Sequence, residues 1–107
     1  MKRLVMLVLA ALPLSLHAAG NAESGKGKAA QVCTACHGPD GNKPSQPDQP
    51  ILAGQHYDYL VRALTDYKIG RRTNGIMKGF AGQLSKQDIE DLAAWFSSQK
   101  SNLHDQR

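Results

Sequence analysis

The chain opens on one unbroken apolar run and then changes character. Leu4-Val5-Met6-Leu7-Val8-Leu9-Ala10-Ala11-Leu12-Pro13-Leu14-Ser15-Leu16 follows Lys2 and Arg3, and His17-Ala18-Ala19-Gly20 closes the run. A basic start, a short apolar stretch and a small-residue exit form the pattern of a secretory leader. The stretch falls short of the roughly 20 apolar residues that span a bilayer. Residues 1–20 are therefore read as a signal peptide cleaved between Ala18 and Asn21, with no stable membrane insertion afterwards. Beyond it, apolar positions recur at helical rather than alternating spacing, so the expected fold class is all-α. A first helix runs from about Ala22 into Cys33, with Asn21 as N-cap and Glu23 at its positive end. A second spans roughly Gln55 to Ile69, with Tyr57, Leu60, Val61, Leu64 and Tyr67 on one face and Gly70 as the stop. A third starts at Ser85, which forms a capping box with Asp88, while Leu84 can staple onto Ile89. Its buried stripe is Ile89, Leu92, Ala93 and Phe96, with Trp95 at the edge and an end near Gln99 or Lys100.

Two irregular connections separate these helices. Residues 38–54 carry Pro39, Pro44, Pro47 and Pro50, and residues 71–84 carry Met77, with a short helical turn between Met77 and Ala81. Connections this long in a compact domain are functional or wrap something. Gly25 and Gly27 each weaken the first helix by about 1 kcal/mol relative to Ala. A glycine tolerated there permits another backbone or a ring to approach. Residues 21–100 form one domain, and residues 101–107 are expected to be a short flexible tail.

Size sharpens the picture. Without the leader 87 residues remain, too few for a robust core unaided. With only two cysteines the chain is no disulfide-dense scaffold, so a large apolar cofactor is the natural supplement. Losing Lys2 and Arg3 lowers the net charge from +4 to +2, which is too small a surplus to suggest nucleic acid.

Cys33-Thr34-Ala35-Cys36-His37 has the C-x-x-C-H spacing of haem attachment. Two thiols about one helical turn apart can each add to one of the two porphyrin vinyl groups, and the following imidazole then lies under the iron. Three other uses of the cysteines compete. A thioredoxin-like dithiol needs a strand before it, structural zinc needs four Cys or His ligands, and a simple disulfide needs only the oxidising compartment. After leader removal Met77 is the one methionine left. It is either the distal iron ligand, reaching in from a loop, or a gap-filler in the core. His56 is the rival distal ligand, with solvation as its ordinary alternative, and His104 lies in the tail. The stretch Lys68 to Lys78 holds four basic residues and no acidic one. It reads as a solvated loop, a docking rim or a source of donors to haem propionates.

Four longer patterns run through the chain. They are Cys33-x-x-Cys36-His37-Gly38-x-x-Gly41-Asn42; Pro50-x-Leu52-Ala53-Gly54-Gln55 followed by Tyr59-Leu60; Gly70-x-Arg72-x-Asn74-x-x-Met77; and Leu84-Ser85-x-x-Asp88-Ile89-x-x-Leu92-Ala93-Ala94-Trp95-Phe96. In this order they resemble the small bacterial class I c-type cytochromes of the cytochrome c-553 branch, and one half of the dihaem cytochrome c4 proteins. The resemblance implies a cytochrome c fold, with three main helices and short helical turns wrapped around one covalent haem c, and terminal helices crossing near Gly25 and Trp95. It implies thioethers at Cys33 and Cys36, iron ligation by His37 and Met77, and a Pro50 carbonyl that accepts the other N–H of His37. Related sequences often place proline before the distal methionine, where this chain has Ile76. Tyr59 is a core aromatic or a propionate contact. The implied function is single-electron transfer in the periplasm, without enzymatic bond chemistry. The donor would be a cytochrome bc1-type complex or a periplasmic dehydrogenase, and the acceptor a terminal oxidase or reductase. A haem-based ligand or redox sensor with a labile Met77, and a small haem subunit of a dehydrogenase complex, are the alternatives.

Overall fold

The computed structural model describes residues 2–8, 10 and 20–102; Ala18, Ala19 and His104 lie outside these. Among the described residues there is no strand, and five helices follow one another: α1 Ala22–Val32, α2 Thr34–His37, α3 Tyr57–Ile69, α4 Gly75–Gly82 and α5 Lys86–Ser97. No helix among them is long and apolar enough to cross a membrane.

The helices form for local reasons and stay for packing reasons. Asn21 Oδ1 accepts the Ser24 N–H at 2.9 Å, so α1 begins where the polar N-cap stands. α3 ends at Gly70, whose φ of 86° is open to glycine at little cost. α5 starts with a complete capping box: Ser85 Oγ accepts the Asp88 N–H at 3.0 Å and Asp88 Oδ2 accepts the Ser85 N–H at 2.9 Å. Leu84 and Ile89 flank that cap and are both buried in the core. Ile89, Leu92, Ala93 and Phe96 bury one stripe of α5 against Ala29 of α1, Leu60 of α3 and Ala81 of α4. The other residues of the α3 stripe, Tyr57, Val61, Leu64 and Tyr67, are half-buried against the same core.

α1 crosses α5 at Gly25. A β-carbon there would lie 1.9 Å from the Asp91 carbonyl oxygen and 2.9 Å from Trp95 Cβ, so only a hydrogen lets the two backbones meet. Gly27 is different, for nothing lies within 4 Å of its Cβ position. Asp91 braces the crossing: its buried carboxylate accepts the Asn21 N–H at 2.7 Å and the Gln87 side-chain N–H at 2.8 Å. A carboxylate so placed also meets the positive end of α1.

Two expectations need adjusting. Residues 75–82 are a full eight-residue helix rather than an irregular stretch with one turn, so Met77 stands on a helix and not on a loop. Of the segment read as a tail only residues 101 and 102 are described, and they lie beside Asn42. Asn42 Nδ2 donates to the Lys100 carbonyl at 2.8 Å, and its Oδ1 accepts the Asn102 N–H at 2.8 Å. The third helix also closes at Ser97, before Gln99.

The Asp88 cap gives a pH-dependent stability. The Ser85 N–H, with help from Ser85 Oγ and from Lys28 at 3.7 Å, holds the Asp88 carboxyl below its ordinary range. A depressed carboxyl contributes stability that is present above the unfolded value near 3.9 and lost as pH falls through the folded one. Ser85→Ala is expected to cost about 1 kcal/mol, or roughly 4–8 °C in Tm, at pH 7. Melting curves of wild type and Asp88→Asn should converge once pH falls below the lowered value of the folded-state carboxyl. A gap that persists at acid pH would contradict this account.

Candidate functional site

One cleft gathers the chemistry. Its walls are apolar, with Leu60, Leu64, Leu84, Leu92, Phe80 and Phe96 among the lining residues, and it encloses about 1320 Å³ including its mouth. Cys33, Cys36, His37 and Met77 all line it. α1 and α2 bring the two thiols and the imidazole to one side, and α4 brings the thioether.

His37 is buried, and its Nδ1 lies 2.9 Å from the Pro50 carbonyl oxygen. A carbonyl can only accept, so Nδ1 carries a proton, and a neutral ring in this arrangement has its lone pair on Nε2. The proline-rich connection is shaped to make this bond. Ser45 N–H donates to the Cys36 carbonyl at 2.9 Å, Lys43 N–H to the His37 carbonyl at 3.1 Å, and Leu52 N–H to the Gly41 carbonyl at 2.9 Å. Gly41, at φ 84°, sits where a β-carbon would meet Phe96 and the Ala53 nitrogen within 3 Å. The connection thus folds back onto α5 and carries Pro50 over the imidazole.

Cys33 and Cys36 are half-buried and are not joined to each other. Burial, and secondarily the neighbouring Cys36, push Cys33 up to about 11. A thioredoxin-like dithiol follows a strand, whereas the helix α1 precedes Cys33. Among the described residues no group of three or more His, Cys, Asp or Glu could hold a metal ion, which leaves structural zinc without ligands. Two thiols, one imidazole nitrogen and one thioether, set in an apolar cleft, suit a flat metal macrocycle instead.

The remaining predicted positions divide. His56 is exposed at the N-cap of α3 and does not line the cleft. Tyr59 does line it, and is nearly half exposed. The basic stretch splits as well. Arg72 lies over the rings of Tyr59 and Tyr67, 5.7 and 5.3 Å from their centroids, and donates from Nη2 to the Tyr59 hydroxyl at 3.2 Å. Lys68, Arg71 and Lys78 are all exposed, and Lys68 donates to the Leu84 carbonyl. In the sequence Asn74 stood out only as part of a family pattern; its role as the N-cap of α4, with Oδ1 accepting the Met77 N–H at 3.0 Å, was missed. Its signal was present as a capping residue three positions before Met77, in a stretch read as irregular.

The family match to cytochrome c spans residues 22–100. The chain belongs to the cytochrome c family. Its cofactor is accordingly covalently bound haem c, and the donor set of the cleft fits it. This cytochrome c is 48% identical over 105 residues to cytochrome c4 of Pseudomonas aeruginosa, a match covering 96% of this chain and 51% of that protein. It is 41% identical over 85 residues to cytochrome c-554(548) of Halomonas halodenitrificans, covering 77% of this chain and all of that one. The crystal structure of reduced recombinant cytochrome c4 from Pseudomonas stutzeri superposes with a TM-score of 0.72 at 48% identity, over 79% of this chain and 48% of that one. The chain thus spans about half the length of the cytochrome c4 relatives it matches.

Proposed function

We propose that this cytochrome c is a periplasmic single-electron carrier that performs no bond chemistry of its own. In this reading the haem is anchored as thioethers at Cys33 and Cys36, with His37 and Met77 as axial ligands. The observation that carries it is the pairing of a committed imidazole with a thioether on one apolar cleft. Bound haem supplies a one-electron ferric–ferrous couple. The Pro50 carbonyl keeps the His37 proton on Nδ1, which orients the ring and makes Nε2 a stronger ligand. Met77 offers a neutral thioether, which sets a higher potential than a second imidazole would. Leu60, Leu92 and Phe96 keep water from the interior side of the cleft.

A cytochrome bc1-type complex or a periplasmic dehydrogenase is the proposed donor, and a terminal oxidase or reductase the acceptor. In the basic stretch from Lys68 to Lys78, Lys68, Arg71 and Lys78 are exposed; Lys68 is engaged by the Leu84 carbonyl, so Arg71 and Lys78 are the proposed docking charges. Redox encounters are small and transient, and long-range attraction acts on their association rate. Oxidation of the reduced holoprotein by a membrane oxidase, followed against ionic strength, tests the reading. Arg71→Glu with Lys78→Glu is expected to slow the reaction several-fold at low salt, with the difference fading as salt screens the charges. Equal rates and equal salt slopes would remove the docking role. A protein that passes no electrons but binds carbon monoxide readily would be a sensor instead.

A further inference from the structure

The helix that carries Met77 is weak by composition. Gly75, Gly79 and Gly82 are three of its eight residues, and the interior one, Gly79, costs about 1 kcal/mol relative to alanine. Nothing lies within 4 Å of a Cβ position at any of the three, so none is there to admit a close neighbour. The C-terminal part is docked: Ala81 is fully buried, Leu84 is buried, and the Leu84 N–H donates to the Ala81 carbonyl at 3.1 Å. The N-terminal part has less to hold it: Gly75, Lys78 and Gly79 are exposed, while Ile76, Met77 and Phe80 line the cleft.

One side chain secures that first turn. Asn74 Oδ1 accepts the Met77 N–H at 3.0 Å, while the Asn74 carbonyl accepts the Lys78 N–H at 2.9 Å. The segment before it is fastened to α3, with Arg72 gripped by Tyr59 and Tyr67 and its N–H donating to the Asp66 carbonyl at 3.1 Å. The strap between α3 and α4 therefore has two fixings, and the second bears directly on the backbone of Met77.

We propose that Asn74 is a positioning residue for Met77: its cap holds a glycine-weakened turn in place, and thereby keeps the cleft closed to small exogenous ligands such as carbon monoxide. This rests on Met77 as the distal ligand. A cap holds the first turn together by satisfying a donor that would otherwise face solvent. Without it the turn frays more often, and each fraying withdraws the thioether. Ligand entry then follows the open fraction of the turn.

The test is carbon monoxide binding to the reduced holoprotein, with Met77→Ala as the fully open reference. Asn74→Ala is expected to speed binding about fivefold, the factor that corresponds to a typical cap loss. Asn74→Ser retains a capping oxygen and should stay within about twofold of wild type. Gly79→Ala strengthens the same helix without touching the cap, and should slow binding by a comparable factor and offset Asn74→Ala in the double variant. Protection of the Met77 amide against hydrogen exchange should fall in Asn74→Ala and recover in Asn74→Ser. If Asn74→Ala binds at the wild-type rate while Met77→Ala binds fast, the positioning role is wrong and Met77 remains the ligand. If alanine and serine at 74 accelerate binding equally, the cap is not the cause. If Met77→Ala is itself no faster than wild type, the ligand assignment fails first.

Discussion

Gly25→Ala should strongly destabilise the protein and lower the yield of folded holoprotein. In an isolated helix the same change would be stabilising by about 1 kcal/mol, because alanine is the better helix former. Here the added β-carbon would sit 1.9 Å from the Asp91 carbonyl oxygen, 2.5 Å from its carbonyl carbon and 2.9 Å from Trp95 Cβ. Two of those three atoms are backbone, and a backbone cannot rotate aside as a side chain does. α1 and α5 must separate, and the separation loosens Ala29, Leu92, Ala93 and Phe96 together. Overpacking a core costs typically about 1–3 kcal/mol, and a backbone collision belongs at the upper end or beyond. A domain this small has little stability in reserve. Gly27→Ala is the internal control: its Cβ position is open, so it should gain up to about 1 kcal/mol. Thermal unfolding of the two variants should therefore move in opposite directions. Equal stability of Gly25→Ala and Gly27→Ala would show that the helix crossing does not need glycine.

That pair also marks how far the sequence could be read. Gly25 and Gly27 look alike in the chain, both small and both awkward in a helix. Only the partner helix makes one indispensable and leaves the other free. The α5 stripe and the Ser85–Asp88 cap were legible because both are local, set by spacing within one helix. α4 was not, because its three glycines hide a helix whose support is the Asn74 cap and the burial of Ala81. Asp91 was passed over since a charged residue off the apolar stripe reads as solvent-facing, yet it is buried against the start of α1. The cleft residues split in the same way. Cys33, Cys36 and His37 announce themselves as one short motif, and Met77 by being the one methionine beyond the leader. The Pro50 contact is made by a backbone carbonyl, which no residue type betrays, and it was named through the family resemblance. The polar hub at Asn42, which holds Lys100 and Asn102, joins residues nearly sixty positions apart and left no trace in the local pattern.

Met77→Ala should keep its haem and change its electronics. The anchors proposed at Cys33 and Cys36 are untouched, and so is the His37–Pro50 bond. The variant loses only the thioether on the cleft wall that is proposed as the second axial ligand. The spectrum is expected to change from low-spin to high-spin, or to that of a water-ligated haem, with loss of any sulfur-to-iron band. The reduction potential should fall, because a thioether favours ferrous iron more than water or a nitrogen ligand does. A fall on the order of 0.2 V is reasonable against the ~0.8 V that axial ligands span. Carbon monoxide should bind quickly to the reduced variant, since no internal ligand competes for the sixth position. The fold should largely survive, because Met77 is half-buried on a helix whose anchor is Ala81. Circular dichroism alongside the redox titration separates loss of ligand from loss of structure. A variant that stays low-spin at an unchanged potential would make Met77 a filler of the cleft wall. His56 would then have to reach the iron from an exposed position at the start of α3. That would require α3 to unwind at its first turn, and a double variant at 56 and 77 would reveal it as complete loss of the low-spin signal.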